Sequence, residues 1–136
     1  MLNDEQPIIS FQTPHLECKY TTKEIFKYFN VLDSETITNG GQILSGILIM
    51  KKNKYLINLI ELWGKTLVDN PLLITDYYNC KKNQSKDFID NRHDQSIFSI
   101  IRKMNKPLML GDETWFKPFG NIESLDYPFW ATRKIN

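Results

Sequence analysis

A surplus of one charge is missing from this chain: 17 basic residues stand against 16 acidic ones, for a formal net charge of +1. Such a balance gives no global pull toward nucleic acid or an anionic membrane. The short runs Lys51-Lys52-Asn53-Lys54 and Lys81-Lys82 are read as solvated faces, and no nucleic-acid partner is expected. Cysteine is nearly absent too. Cys18 and Cys80 lie far apart and fit no zinc or Cys-x-x-Cys spacing, so they are read as free, buried thiols. Long apolar runs are lacking. The longest, Ile43 to Met50, is interrupted by Ser45-Gly46 and is too short to span a bilayer. Met1 to Pro7 carries neither the basic nor the apolar segment of a signal peptide. These absences together point to a soluble, cytoplasmic protein with no membrane span.

What is present suits one globular domain covering residues 1–136, since 41% of the residues are hydrophobic and no repeat or low-complexity linker divides them. Pro7 to Pro14 reads as a strand or extended loop closed by proline at both ends. Thr21-Thr22-Lys23-Glu24 has capping-box spacing and predicts a helix from about Thr22 to Asn30, with Ile25, Phe26 and Phe29 on one face. Asn39-Gly40-Gly41 marks a turn. Gln42 to Met50, rich in Ile and Leu without polar alternation, predicts a strand buried on both faces, as in the centre of an α/β sheet. Asn53 caps a helix whose Leu56, Leu59, Ile60, Trp63 and Leu67 recur at helical spacing until Asp69-Asn70-Pro71. A short helix follows from Pro71 through Tyr77 and Tyr78, then a polar loop from Cys80 to Lys86. Asp90 or Asp94 caps a helix with the stripe Ile97, Ile100, Ile101 and Met104, and Pro107 to Leu110 is a strand candidate.

Three stretches hold the chemistry-bearing residues. In Gln42 to Gly46, small residues interrupt an apolar strand. Ser45-Gly46 there either lets a ligand approach the backbone closely or marks a bulge or tight sheet packing. Asn91 to Ser96 places strongly polar side chains at the mouth of an apolar helix. Asp94 and Gln95 suit hydrogen bonds to sugar hydroxyls, Arg92 suits a phosphate or carboxylate, and His93 offers an imidazole suited to proton transfer; a helix cap with solvated neighbours is the other reading. Asp112-Glu113 follows a predicted strand and precedes Trp115, whose ring could stack on the apolar face of a sugar; solvated loop acids are the alternative. Asp33-Ser34-Glu35 has the letters of a metal motif but follows a helix, so no metal is assigned to this chain.

The segments Ile9 to Glu17, Tyr20 to Glu24, Gln42 to Met50, Arg92 to Ser99, Asp112 to Phe116 and Pro128 to Arg133 together resemble glycosyltransferases of bacterial surface-polysaccharide loci and of large DNA viruses. The run Arg92-His93-Asp94-Gln95-Ser96 before an apolar helix is the most specific part of that resemblance. It implies the C-terminal, acceptor-side half of a GT-A (Rossmann-like) three-layer α/β fold. The resemblance further implies that Ser45 and Gly46 line the sugar site, that Asp94 and Gln95 bind sugar hydroxyls, and that Asp94 is the carboxylate nearest the reacting carbon. Gln42, Arg92, His93, Asp112, Glu113 and Trp115 complete the expected substrate-binding set. The chain departs from the family in having no Gly-rich donor strand and no Asp-x-Asp before Gln42. A full-length homologue would hold Mn or Mg there against a nucleotide-sugar diphosphate. The expectation is therefore a split or truncated glycosyltransferase that acts on a nucleotide-sugar and a glycan acceptor with a partner supplying the missing half. A non-catalytic carbohydrate-binding or oligomerisation module is the alternative, in which an exposed strand edge pairs with another chain.

Overall fold

A computed structural model of the chain describes residues 2–105, 108–112 and 126–129. Among these residues the architecture is mixed α/β: a four-stranded mixed sheet and five α-helices. Strand β1 (Ile8–Leu16) is central. On one side it pairs antiparallel with β2 (Gly41–Ile43) and then with β3 (Ile49–Met50); on the other it pairs parallel with β4 (Leu108–Gly111). The proline-bounded segment thus runs past Pro14. A proline has no N–H for a ladder, and it is accommodated where the register with β2 shifts between Gln12 and Leu16.

The continuous strand expected from Gln42 to Met50 is broken in two. Leu44 N still donates to Phe11 O (2.9 Å), and pairing resumes at Ile49 opposite Ile9, so residues 45–48 bulge out opposite the single residue Ser10. The bulge that was one reading of Ser45-Gly46 is present. Tight packing does not require the glycine, because a Cβ built on Gly46 meets nothing within 4 Å. Gly46→Ala is therefore expected to leave the melting temperature within about 2 °C, since surface changes away from packed features fall within about ±0.5 kcal/mol. Thermal denaturation checks this, and a loss of 5 °C or more would show that the fold itself depends on Gly46.

Helices α1 (Glu17–Tyr20), α2 (Lys23–Tyr28), α3 (Glu35–Thr38), α4 (Lys54–Asp69) and α5 (Asp94–Met104) follow in chain order. The capping box does not form at α2. Thr22 makes no side-chain cap; instead the distant Gln84 accepts from Lys23 N (2.7 Å) and donates to Glu24 Oε2 (2.8 Å). α4 starts as expected, with Asn53 accepting from Leu56 N (2.8 Å), but its buried stripe is narrower than the spacing suggests because Ile60 is exposed. Pro71–Ile74 and Asp76–Tyr78 are separate 3-10 turns divided by Thr75, and Lys81–Asn83 is a third within the polar loop.

α5 is buried on nearly every side. Ile97, Phe98, Ile100 and Ile101 enter one core with Ile8, Ile25, Phe26, Ile43, Leu56 and Leu59, whereas Met104 is exposed. Arg102 is buried as well and ties the end of α5 to the start of β1, donating from Nε to Ser10 Oγ (3.1 Å) and from Nη2 to Ile8 O (3.4 Å). Burial pushes its guanidinium below the ordinary value, with Tyr55 opposing the shift. The opposite face of the sheet carries Phe11, whose ring meets Phe129 edge-on at 6.1 Å. Both cysteines are free, but neither is fully buried: Cys18 is half-buried and Cys80 exposed. No helix among the described residues is long and apolar enough to cross a membrane.

Candidate functional site

The first turn of α5 is held from four directions. Arg92 N donates to Tyr20 O (3.0 Å) and to Ser96 Oγ (3.1 Å), while the Arg92 guanidinium lies 4.8 Å from the centroid of the Tyr20 ring. Asn91 Nδ2 donates to Leu73 O (2.8 Å). Trp63 Nε1 donates to Asp94 O (3.3 Å), and its ring packs on Phe98 at 4.7 Å. His93 enters the helix with φ 53°, in the left-handed region that costs a non-glycine residue about 1–3 kcal/mol, and its Nε2 lies 2.8 Å from Asp76 Oδ1.

His93, not Asp90 or Asp94, is the N-cap residue, and no side chain caps α5. Asp90 is engaged elsewhere, accepting from Asn79 Nδ2 (2.6 Å). Asp94 is the first helical residue, and its exposed carboxylate makes no hydrogen bond or ion pair to a described residue. Its charge there still interacts favourably with the helix N-terminus.

The broken strand and this helix mouth meet. Gln95 Nε2 donates to Gln42 Oε1 (2.8 Å), and Ser45 N points at Gln95 Oε1 (3.4 Å). Gln42 itself is buried, so its amide reaches Gln95 rather than solvent. Of the expected set, Ser45, Gly46, Arg92, Asp94, Gln95 and Asp112 are at least partly exposed, as is His93, whose ring turns toward Asp76. Asp112 follows the last residue of β4, Gly111, which pairs with Gln12 across β1 from Ile43; that offset of two strand spacings is roughly 10 Å. Glu113 and Trp115 lie outside the described residues.

Beneath the cluster is a polar network that residue spacing does not announce. Glu17 is fully buried, and both its oxygens are occupied. Oε1 accepts from Lys103 Nζ (3.1 Å) and from Ser99 Oγ; Oε2 accepts from Thr21 Oγ1 (2.6 Å) and Gln42 Nε2 (3.3 Å). Burial holds the Lys103 ammonium below its ordinary value, with Glu17 pulling it back up. Ser99 Oγ also accepts from Ile43 N (2.7 Å), joining α5 to β2. One sequence signal for this network exists: Ser96 and Ser99, three residues apart on an apolar helix, are small hydroxyls where aliphatic packing would be expected.

Two surface depressions are found elsewhere, one lined by Lys27, Asn30, Leu32 and Asp33 and the other by Tyr55, Asn58, Leu59, Leu62 and Asn105. Among the described residues no three His, Cys, Asp or Glu side chains gather as a metal ligand set. Comparison of the chain with family models, curated proteins and solved structures gives no match.

Proposed function

We propose that this chain is the acceptor-side part of a GT-A-type glycosyltransferase, taking a sugar from a nucleotide-sugar donor to a glycan or other hydroxyl acceptor. The observation that carries the reading is the contact of Gln95 with Gln42 and Ser45 beside an exposed Asp94 carboxylate that pairs with no described residue. In this reading Ser45, Gly46 and Gln95 bind sugar hydroxyls, and Arg92, held in place by Tyr20, meets an anionic group of the donor. Asp94 takes the proton of the acceptor hydroxyl as its oxygen bonds to the anomeric carbon and the nucleoside diphosphate leaves. As a base it has to come within about 3 Å of that hydroxyl. The described residues offer no ligand set for the Mn or Mg that such enzymes use, so no step here runs through a metal; the donor diphosphate and its metal fall to residues of a partner or of a longer form.

A second reading has its own observation. The outer edge of β4 has no strand partner among the described residues, and Met109 and Leu110 are exposed on it, an arrangement open to pairing with another chain.

Calorimetric titration with uridine- and guanosine-diphosphate sugars, on the parent and on Asp94→Asn, separates the two. The enzyme reading expects saturable binding that Asp94→Asn weakens by about 1.5–3 kcal/mol, the worth of a charged hydrogen bond. Melting should change little, because the variant loses only a helix-terminal charge worth about 0.3–1 kcal/mol. A tight dimer indifferent to sugars and broken by Leu110→Lys would favour the strand-edge reading and count against the first.

A further inference from the structure

We infer that Glu17 is a positioning residue for the candidate site: through Gln42, which lies between them, it sets the orientation in which the Gln95 amide meets a ligand. The inference rests on the reading of Gln95 as a ligand-binding residue, but its structural half stands apart from any ligand.

The argument begins with the direction of the Gln42 amide. Its Nε2 is within 3.2–3.3 Å of Glu17 Oε2, Tyr20 O, Thr21 Oγ1 and Ser96 Oγ. Each of these accepts there. A carboxylate and a carbonyl have no proton to give, Thr21 spends its hydroxyl proton on Glu17 (2.6 Å), and Ser96 spends its own on Tyr20 O (2.7 Å). A flipped Gln42 would press its oxygen against those acceptors, so Nε2 must face them and Oε1 must face Gln95. Gln95 then has no choice either. Its Nε2 has to be the atom 2.8 Å from Gln42 Oε1, and its Oε1 the atom turned to Ser45 N–H at 3.4 Å. One N–H and one lone pair of Gln95 stay uncommitted among the described residues, a donor and an acceptor held side by side. That pair suits a hydroxyl or a vicinal diol, groups that give and take hydrogen bonds at once.

The orienting charge belongs to Glu17. It is fully buried, and Lys103 at 3.1 Å keeps it paired. Other charges near this end of the network are Arg92, whose guanidinium is turned onto Tyr20, and Asp94, whose carboxylate contacts no described residue. Neither touches Gln42. A neutral side chain at position 17 could turn either end toward Gln42 and would release the Thr21 hydroxyl proton, leaving only Tyr20 O and Ser96 Oγ to hold the amide, so the relay would lose two of its four orienting acceptors, the charged one among them. Gln95 would then have to be ordered at the moment of binding, at a cost of about 0.5–1.5 kcal/mol, which corresponds to about two- to tenfold in affinity.

The test follows the side-chain amide resonances of Gln95 by NMR in Glu17→Gln/Lys103→Met, where the cation is removed with its partner so that no charge is stranded. Gln95 makes no contact with Glu17, so a merely structural role for Glu17 would leave those resonances alone in a folded variant. The expected result is that the Gln95 amide protons move to the positions of an exposed glutamine and exchange faster with water. Gln42→Leu, which deletes the direct partner of Gln95, gives the resonance positions of a released amide, and Glu17→Gln alone serves if the double variant does not fold. Unchanged Gln95 resonances in either folded Glu17 variant would overturn the inference. With a uridine-diphosphate sugar as probe, both Glu17 variants should bind two- to tenfold more weakly than the parent. A parent that binds no nucleotide-sugar counts against the functional reading and against the ligand half of the inference, while the Gln95 resonances still decide whether Glu17 orients the amide.

Discussion

Glu17→Ala is expected to cost about 3–5 kcal/mol of folding stability, because it leaves the Lys103 ammonium inside the protein with no counter-charge. Lys103 is only 7% exposed, and the one other acceptor it has among the described residues is Ile37 O at 3.3 Å. Thr21, Ser99 and Gln42 would each lose an acceptor at the same time. Small domains are stable by about 5–15 kcal/mol, so the variant should unfold at markedly lower urea. Removing Lys103 as well should recover most of the loss. The pH dependence has a definite sign. The folded-state pKa of Lys103 lies below its ordinary 10.5, so between the two values the unfolded chain binds more protons, and this group makes stability rise with pH in that window. Urea titrations of the single and double variants check the account, which fails if Glu17→Ala is as stable as the parent.

Phe98→Ala should be comparably severe, at about 3–5 kcal/mol. Phe98 is 1% exposed and packs at a tilt against Trp63, whose indole N–H in turn holds the carbonyl of Asp94. Truncation therefore empties core volume between α4 and α5 and loosens the start of α5. Phe98→Leu should lose much less, since it refills most of the space. A loss under about 1 kcal/mol on Phe98→Ala would mean that the two helices do not depend on this contact for their packing.

The parts of the fold legible in the sequence are those whose causes are local. α4 could be read from end to end because its cap, Asn53, and its breaker, Pro71, are both neighbours in sequence of the residues they act on. The strand at Leu108 and the core of α5 were likewise legible from apolar runs. Where tertiary partners decide, spacing misleads. Thr21 and Glu24 have capping-box spacing, yet Thr21 turns its hydroxyl to Glu17 and Gln84 binds Lys23 N and Glu24 from across the fold. The apolar run from Gln42 to Met50 gives no hint of where it breaks, because the bulge is defined by the register of β1 opposite it.

The candidate site was legible in the same uneven way. Ser45 and Gln95, far apart in sequence, do come into contact, and the resemblance had placed both at one site. Glu17 was invisible as an orienting group because its partners come from three different places in the chain: Thr21, Gln42, and Ser99 with Lys103 on α5. A single acid at the end of a strand carries no sign that it will be buried and fourfold hydrogen-bonded.

The most direct measurement of the central claim is an amide NMR titration of the parent chain with uridine- and guanosine-diphosphate sugars, using the bare nucleotides as controls. The account predicts saturable shifts centred on Ser45, Gly46, Asp94 and Gln95, larger with the sugar present than with the nucleotide alone. No shifts at millimolar ligand, or shifts confined to residues away from these four, would contradict it.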